Sequence, residues 1–238
     1  MSQFSTTHWS VVLIAGHESK NGGPEALQKI CERYWYPLYS YARRTGCEAE
    51  TAADATQAFF LHLLSSSLIA KADPARGRFR TFILEAFKHH LISEYRNART
   101  AKRGGGLAAL SFDQVDAEMR FALEPRDLNS PEKMFERTWA LNLLDQTFRL
   151  LREEFAQSGR AELFQYLERV LLEEPNAQAY GQIAAKMEMT ESAVKVSVYR
   201  IRQRFREILR GLVGSTVPDP LEVDAELRHL LNILCNGL

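Results

Sequence analysis

Two runs of long cations are the residues of this sequence whose type and spacing could do chemistry. Positions 76–103 hold eight Lys/Arg against two Glu, and positions 195–210 hold six against one. Their chemistry is non-covalent: such side chains neutralise phosphates, release counterions and reach guanine edges. In the later run, Lys195, Tyr199, Arg200, Arg202 and Arg204 follow Ser192 along one helical segment. In the earlier run, Arg78, Arg80, Lys88, Arg96, Arg99, Lys102 and Arg103 are interleaved with Phe79, Phe82 and His89. Cations beside flat rings are what holding unstacked bases requires. Between the runs, positions 104–130 carry five Asp/Glu against two Arg, so a formal net charge of zero hides two basic stripes separated by an acidic one.

Other chemistries find no support. His90 and Glu94 share a helix face at i and i+4, but adjacent His89 points elsewhere and no HExxH occurs. Gly104-Gly105-Gly106 follows no strand and precedes no GK[ST], so it is no phosphate loop. Cys31, Cys47 and Cys235 are odd in number and far apart, which suggests neither a zinc site nor a disulfide framework. No catalytic residue, metal or cofactor is expected. No apolar run approaches the ~20 residues that span a bilayer, and 11–16 is too short for a signal peptide. The expectation is a cytoplasmic protein with reduced thiols and no membrane insertion.

These side chains need helices to position them. Leu27, Ile30, Tyr34, Leu38 and Tyr41 recur at helical spacing over 25–45, with Pro37 set to kink or divide the element and Gly46 to end it. A second helix is read over 49–64. Phe79, Ile83, Phe87, Leu91 and Tyr95 run at i+4 through a third, over 79–102. Residues 104–130 have weak periodicity and read as a linker. Ser130-Pro131 then starts a helix with Leu144, Phe148, Leu151 and Phe155 on its stripe. Further helices fit 161–172, 177–186 and 191–212, and a last one puts Leu227, Leu230, Leu231 and Leu234 on one face. The fold class is all-α: two helical bundles joined by an acidic linker.

The segment 180–206, YGQIAAKMEMTESAVKVSVYRIRQRFR, is a helix-turn-helix pattern. Thr190 caps its second helix, whose buried stripe is Val194, Val198, Ile201 and Phe205. Gln182-Ile183-Ala184, Thr190-Glu191-Ser192, Ala193-Val194-Lys195 and Tyr199-Arg200-Ile201-Arg202 resemble the fourth domain of an RNA polymerase sigma factor. Residues 34–44 (YWYPLYSYARR) resemble the opening of the second sigma domain. Residues 54–60 (DATQAFF) resemble its polymerase-binding helix, and 79–103 its promoter-melting helix. Both blocks stand in order with only a linker between them, as in the extracytoplasmic-function (ECF) group, here with a C-terminal extension.

The resemblance implies a sigma factor that binds core RNA polymerase, recognises promoter DNA as duplex and melted strand, and directs initiation. It divides the chain into a second sigma domain over 1–103, a linker over 104–130, a fourth sigma domain over 131–213 and an extension over 214–238. It implies that Asp54, Gln57 and Phe60 face the polymerase. Ser192, Lys195, Tyr199, Arg200, Arg202 and Arg204 would meet the minus-thirty-five element. Arg78, Phe79, Arg80, Phe82, Lys88, His89, Arg96, Arg99, Lys102 and Arg103 would meet the minus-ten element, although Phe79 and Phe82 could equally be core residues. Val196, Phe82, His89 and Ser93 depart from the residues frequent in the family, so base preference is not carried over. Asp113, Asp116, Glu118, Glu124 and Asp127 would let the linker mimic a polyanion in a polymerase channel. An anti-sigma factor is a further possible partner. The locally acidic tail is expected to fold back onto a basic domain or to bind a regulator. The alternative is a helix-turn-helix regulator that is not a polymerase subunit.

Overall fold

The computed structural model describes residues 23–65, 68–73, 77–100, 114–124, 130–172, 177–217 and 219–235. Among them are nine α-helices, two short 3₁₀ turns and no strand. The chain forms two compact units, one built from residues 1–142 with 213–238 and the other from 143–212. The two divisions fall within the helices Pro131–Gln157 and Glu191–Gly214. Residues 131–142 and the extension belong with the first unit.

The first unit is organised around α1 (Gly23–Arg44). Its residues are buried almost all round: Ile30, Tyr34, Leu38 and Tyr39 have no exposed surface, and Cys31, Trp35, Tyr36 and Tyr41 are buried beside them. A helix covered on every side, as α1 is over 34–42, is a central helix, and α2 (Ala49–Ser65), α3 (Phe79–Thr100) and α4 (Gln114–Leu123) all pack on this one. Phe79, Ile83, Phe87 and Leu91 form the inward stripe of α3. Phe87 meets Phe59 of α2 edge-on with centroids 5.2 Å apart, and Phe79 meets Tyr34 of α1 at 5.6 Å.

Pro37 does not divide α1. Proline lacks the N–H that would bond the carbonyl of Arg33. The side-chain amide of Asn142 donates to that oxygen instead, at 3.4 Å. Gly46, at φ +98°, ends the helix: its N–H bonds Arg43 O at 3.1 Å, and the Cys47 N–H bonds Ala42 O at 3.1 Å.

The region read as a linker contains a helix, α4, and its acids are engaged. Glu118 accepts from Arg43 Nε at 2.7 Å and from the Tyr39 hydroxyl at 2.6 Å. Glu124, just past the helix end, accepts from Tyr36 at 2.8 Å, Ser40 at 2.9 Å and Arg44 at 3.0 Å. The two guanidinium groups lie 4.9 and 5.5 Å from the Phe121 ring centroid. The docked face of α4 is thus Ala117, Glu118 and Phe121, while Val115, Met119 and Leu123 point outward. Asp113 and Asp127 lie outside the described residues.

The second half of α5 (Pro131–Gln157), with α6 (Ala161–Leu172), α7 (Ala177–Lys186) and α8 (Glu191–Gly214) as far as Leu212, forms the second unit. Its core is Leu151, Phe164, Leu167, Ile183, Ala184, Val194, Val198 and Ile201. Back in the first unit, α9 (Val223–Cys235) buries Val223, Glu226 and Leu230. Leu231, expected on the apolar face, is 58 % exposed. The face is rotated from the all-leucine one because a carboxylate at 226 has been drawn inside.

Candidate nucleic-acid interface

The turn between α7 and α8 sets the aim of α8. Glu188 takes the left-handed conformation, φ +50°, in that turn. Thr190 caps α8, its hydroxyl accepting from the Ala193 N–H at 3.2 Å. Val194, Val198 and Ile201 are at most 2 % exposed and fix the rotation of the helix about its axis. The opposite face is then determined: Ser192, Lys195, Val196, Tyr199 and Arg200 all point to solvent. Tyr199 is 64 % exposed, and Gln203 donates to its hydroxyl at 3.0 Å. Lys195 Nζ stands 5.6 Å from the Tyr180 ring, a cation–π contact that holds the ammonium near the helix start.

The remaining two expected cations of α8 are occupied within their own unit. Arg202 is half-buried and donates to Val170 O at 3.2 Å. Arg204 makes a fork to Glu154, at 2.6 and 2.8 Å, and reaches Glu207 at 2.9 Å. Those hydrogen bonds raise the Arg204 pKa further, and the Arg204 hydrogen bond holds the Glu154 carboxyl below its ordinary value. Ser192, Lys195, Tyr199 and Arg200 therefore form the outward surface near the start of α8, while Arg204, exposed further along, is ion-paired.

The set expected on α3 separates more sharply. Phe79 has no exposed surface and is core, so it cannot stack a base in this state. Phe82 is half-buried with its ring 5.9 Å from that of Phe79. Arg80, expected to face DNA, is 2 % exposed and pairs with Glu226 of α9. Arg78 meets the same carboxylate at 2.8 Å. Lys88 is shared by Glu85 at 2.9 Å and Glu132 at 3.1 Å. Burial lowers its pKa, and those two hydrogen bonds outweigh that and leave it raised. His89 and Arg96 are exposed. Arg99 belongs to the last turn of α3, whereas Lys102 and Arg103 fall outside the described residues.

One cleft, of about 700 Å³, opens between α1, α3 and the start of α5. Tyr41, Lys88, Ile92, Tyr95 and Arg96 line it, together with Glu132. Tyr95 is 58 % exposed. The i+4 spacing that places Tyr95 on the core stripe is the wrong guide there. The stripe leaves the core after Leu91, and the last turns of α3 turn their aromatic outward.

On α2, Asp54 is exposed and Gln57 half-buried, but Phe60 has no exposed surface. The first two can form an outward patch; Phe60 supports them from inside. Among the described residues there is no cluster of His, Cys, Asp and Glu able to hold a metal ion, and no helix long and apolar enough to cross a membrane.

No curated protein and no solved structure matches this chain. A family model does, described as ECF sigma factor, over residues 16–211. That span takes in the α1–α3 bundle, the acidic α4 and the helix-turn-helix. The chain belongs to the ECF sigma factor family, whose members serve RNA polymerase in promoter-directed transcription.

Proposed function

We propose that this chain binds core RNA polymerase through the outward side of α2, at Asp54 and Gln57, and holds promoter DNA at two places. The helix-turn-helix presents Ser192, Lys195, Tyr199 and Arg200 to the upstream, minus-thirty-five element. The exposed His89 and Arg96 of α3 take the minus-ten element, with Arg99, Lys102 and Arg103 following them in the sequence. Tyr95, exposed in the cleft beside Arg96, replaces Phe79 as the surface on which an unstacked base can rest. The observation that carries this reading is the division of α8 into a buried valine–isoleucine stripe and an opposite face of exposed Lys195, Tyr199 and Arg200. A helix held that rigidly, with two cations and a hydroxyl outward, is shaped to enter a major groove.

The experiment is promoter binding by the reconstituted holoenzyme, on fragments selected from a randomised library. Lys195→Ala with Arg200→Ala should weaken binding and flatten the salt dependence by about 0.9 for each phosphate no longer neutralised. Arg204→Ala, whose partners are Glu154 and Glu207, should leave that slope unchanged. Equal slopes for all three proteins would remove α8 from the interface.

A further inference from the structure

The extension folds onto the first unit by way of a buried charge cluster. Glu226 of α9 has no exposed surface, and its carboxylate is held by Arg78 and Arg80, 148 and 146 positions earlier in the chain. Glu136 of α5 stands 3.5 Å from Arg80 Nε and 3.2 Å from His229 of α9. The Arg80 guanidinium lies 4.6 Å from the Trp139 ring centroid, and Trp139 is 1 % exposed. Val223 and Leu230 flank Glu226 on the same buried face. Apolar residues at both 226 and 80 would complete that face without burying this ion pair. Burying carboxylate and guanidinium together gains little net stability, so such a cluster is weak evidence for a purely structural role. The two arginines sit at the very start of α3, the helix read above as facing promoter DNA. A carboxylate is the side chain closest in charge and geometry to a backbone phosphate, and arginine binds both through the same fork.

We infer that Arg78, Arg80 and the Trp139 face form a phosphate-binding slot, and that Glu226 of α9 fills it as an intramolecular competitor of promoter DNA. The C-terminal helix is then a seal. While it is docked, two cations of the α3 surface are neutralised and one is covered. When DNA takes the slot, α9 leaves. This inference rests on the reading of α3 as DNA-facing, but its test is separate from that of initiation.

The probe is a fluorescein-labelled, random-sequence single-stranded DNA of about 20 nucleotides, a length that spans several phosphate contacts, titrated into the full chain. Glu226→Gln keeps the side-chain volume and removes the competing charge. Its affinity for the probe should exceed that of the wild type by about tenfold, the weight of one charge-assisted hydrogen bond. Equal or weaker binding by a folded Glu226→Gln protein overturns the proposal. If that variant does not fold, hydrogen exchange on the wild type decides. Amides of 223–235 should lose protection when the probe saturates the protein; retained protection overturns the seal. A wild-type protein that directs initiation while Glu226→Gln binds no tighter refutes the seal alone. A wild-type protein that never initiates refutes the function reading and leaves the affinity comparison to judge the slot.

Discussion

Replacing Glu124 by alanine should release α4 from α1 while the rest of the first unit stays folded. Glu124 and Arg44 are both well covered, with side chains 12 % and 13 % exposed. The carboxylate also accepts from Tyr36, Ser40 and Thr138. The Tyr36 phenol is pushed well above its ordinary pKa by burial and by this carboxylate, so it stays a donor at any working pH. Hydrogen bonds to a charged group contribute about 1.5–3 kcal/mol each, and they do not add. Removing one partner of a mostly buried pair costs about 3–5 kcal/mol. Glu118, at mid-helix, still pairs with Arg43, so the lower figure applies, about 3 kcal/mol. That is a factor of about 150 in the opening equilibrium of α4. The assay is amide hydrogen exchange read by mass spectrometry. Amides of 114–123 should exchange about a hundredfold faster, while those of α2 keep their rates. Glu124→Gln keeps an acceptor oxygen and should give a smaller change, about tenfold. Unchanged exchange in α4 would show that the ion pairs do not hold it. A uniform increase across the whole unit would show that α4 is no separate element.

Three further outcomes follow from the same geometry. Asn142→Ala should cost about 1 kcal/mol by denaturant melting, because the Arg33 carbonyl loses the donor that stands in for the missing proline N–H. In a Pro37→Ala background that part of the cost should vanish, since residue 37 then supplies the N–H; an unchanged cost would mean the amide is not what tolerates Pro37. His90 has its pKa lowered, chiefly by burial against Phe59, with Glu94 opposing and His62 reinforcing. The folded state therefore prefers the neutral ring, so its contribution is full above the unfolded pKa near 6.5 and is lost as pH falls below that toward the folded value. His90→Phe should flatten the stability–pH profile in that window, which thermal melts at a series of pH values would read. Thr190→Ala should lower the stability of the second unit by about 1 kcal/mol through loss of the α8 cap, and a melt indistinguishable from wild type would refute the capping role.

The sequence made some of this plain and hid the rest for physical reasons. The i+4 run Phe79, Ile83, Phe87 is a strong periodic signal, and it is the core stripe of α3. Val194, Val198, Ile201 behave the same way in α8, so the outward residues Lys195, Tyr199 and Arg200 could be read from spacing alone. The α4 helix escaped because its docked face is held by Glu118 and Glu124 on arginines, and an ion-paired face leaves no apolar period. Charge likewise could not say which cations were free. Arg80 and Lys88 read as surface residues, yet each meets acids more than forty positions away. Burial of Glu226 runs against the pattern of its own helix, where leucines at 227, 230, 231 and 234 suggested a different face. Phe60 looked like an interface anchor by resemblance, but a residue beside Phe59 and Leu63 at the core end of α2 is drawn inward.

The role proposed for this chain is to make core RNA polymerase start at promoters by means of two cationic helices. Run-off transcription with purified core enzyme on a library of promoter fragments tests it most directly. Discrete transcripts should appear that need the chain and that disappear with Lys195→Ala and Arg200→Ala together. Core enzyme that yields the same products with and without the chain would contradict it.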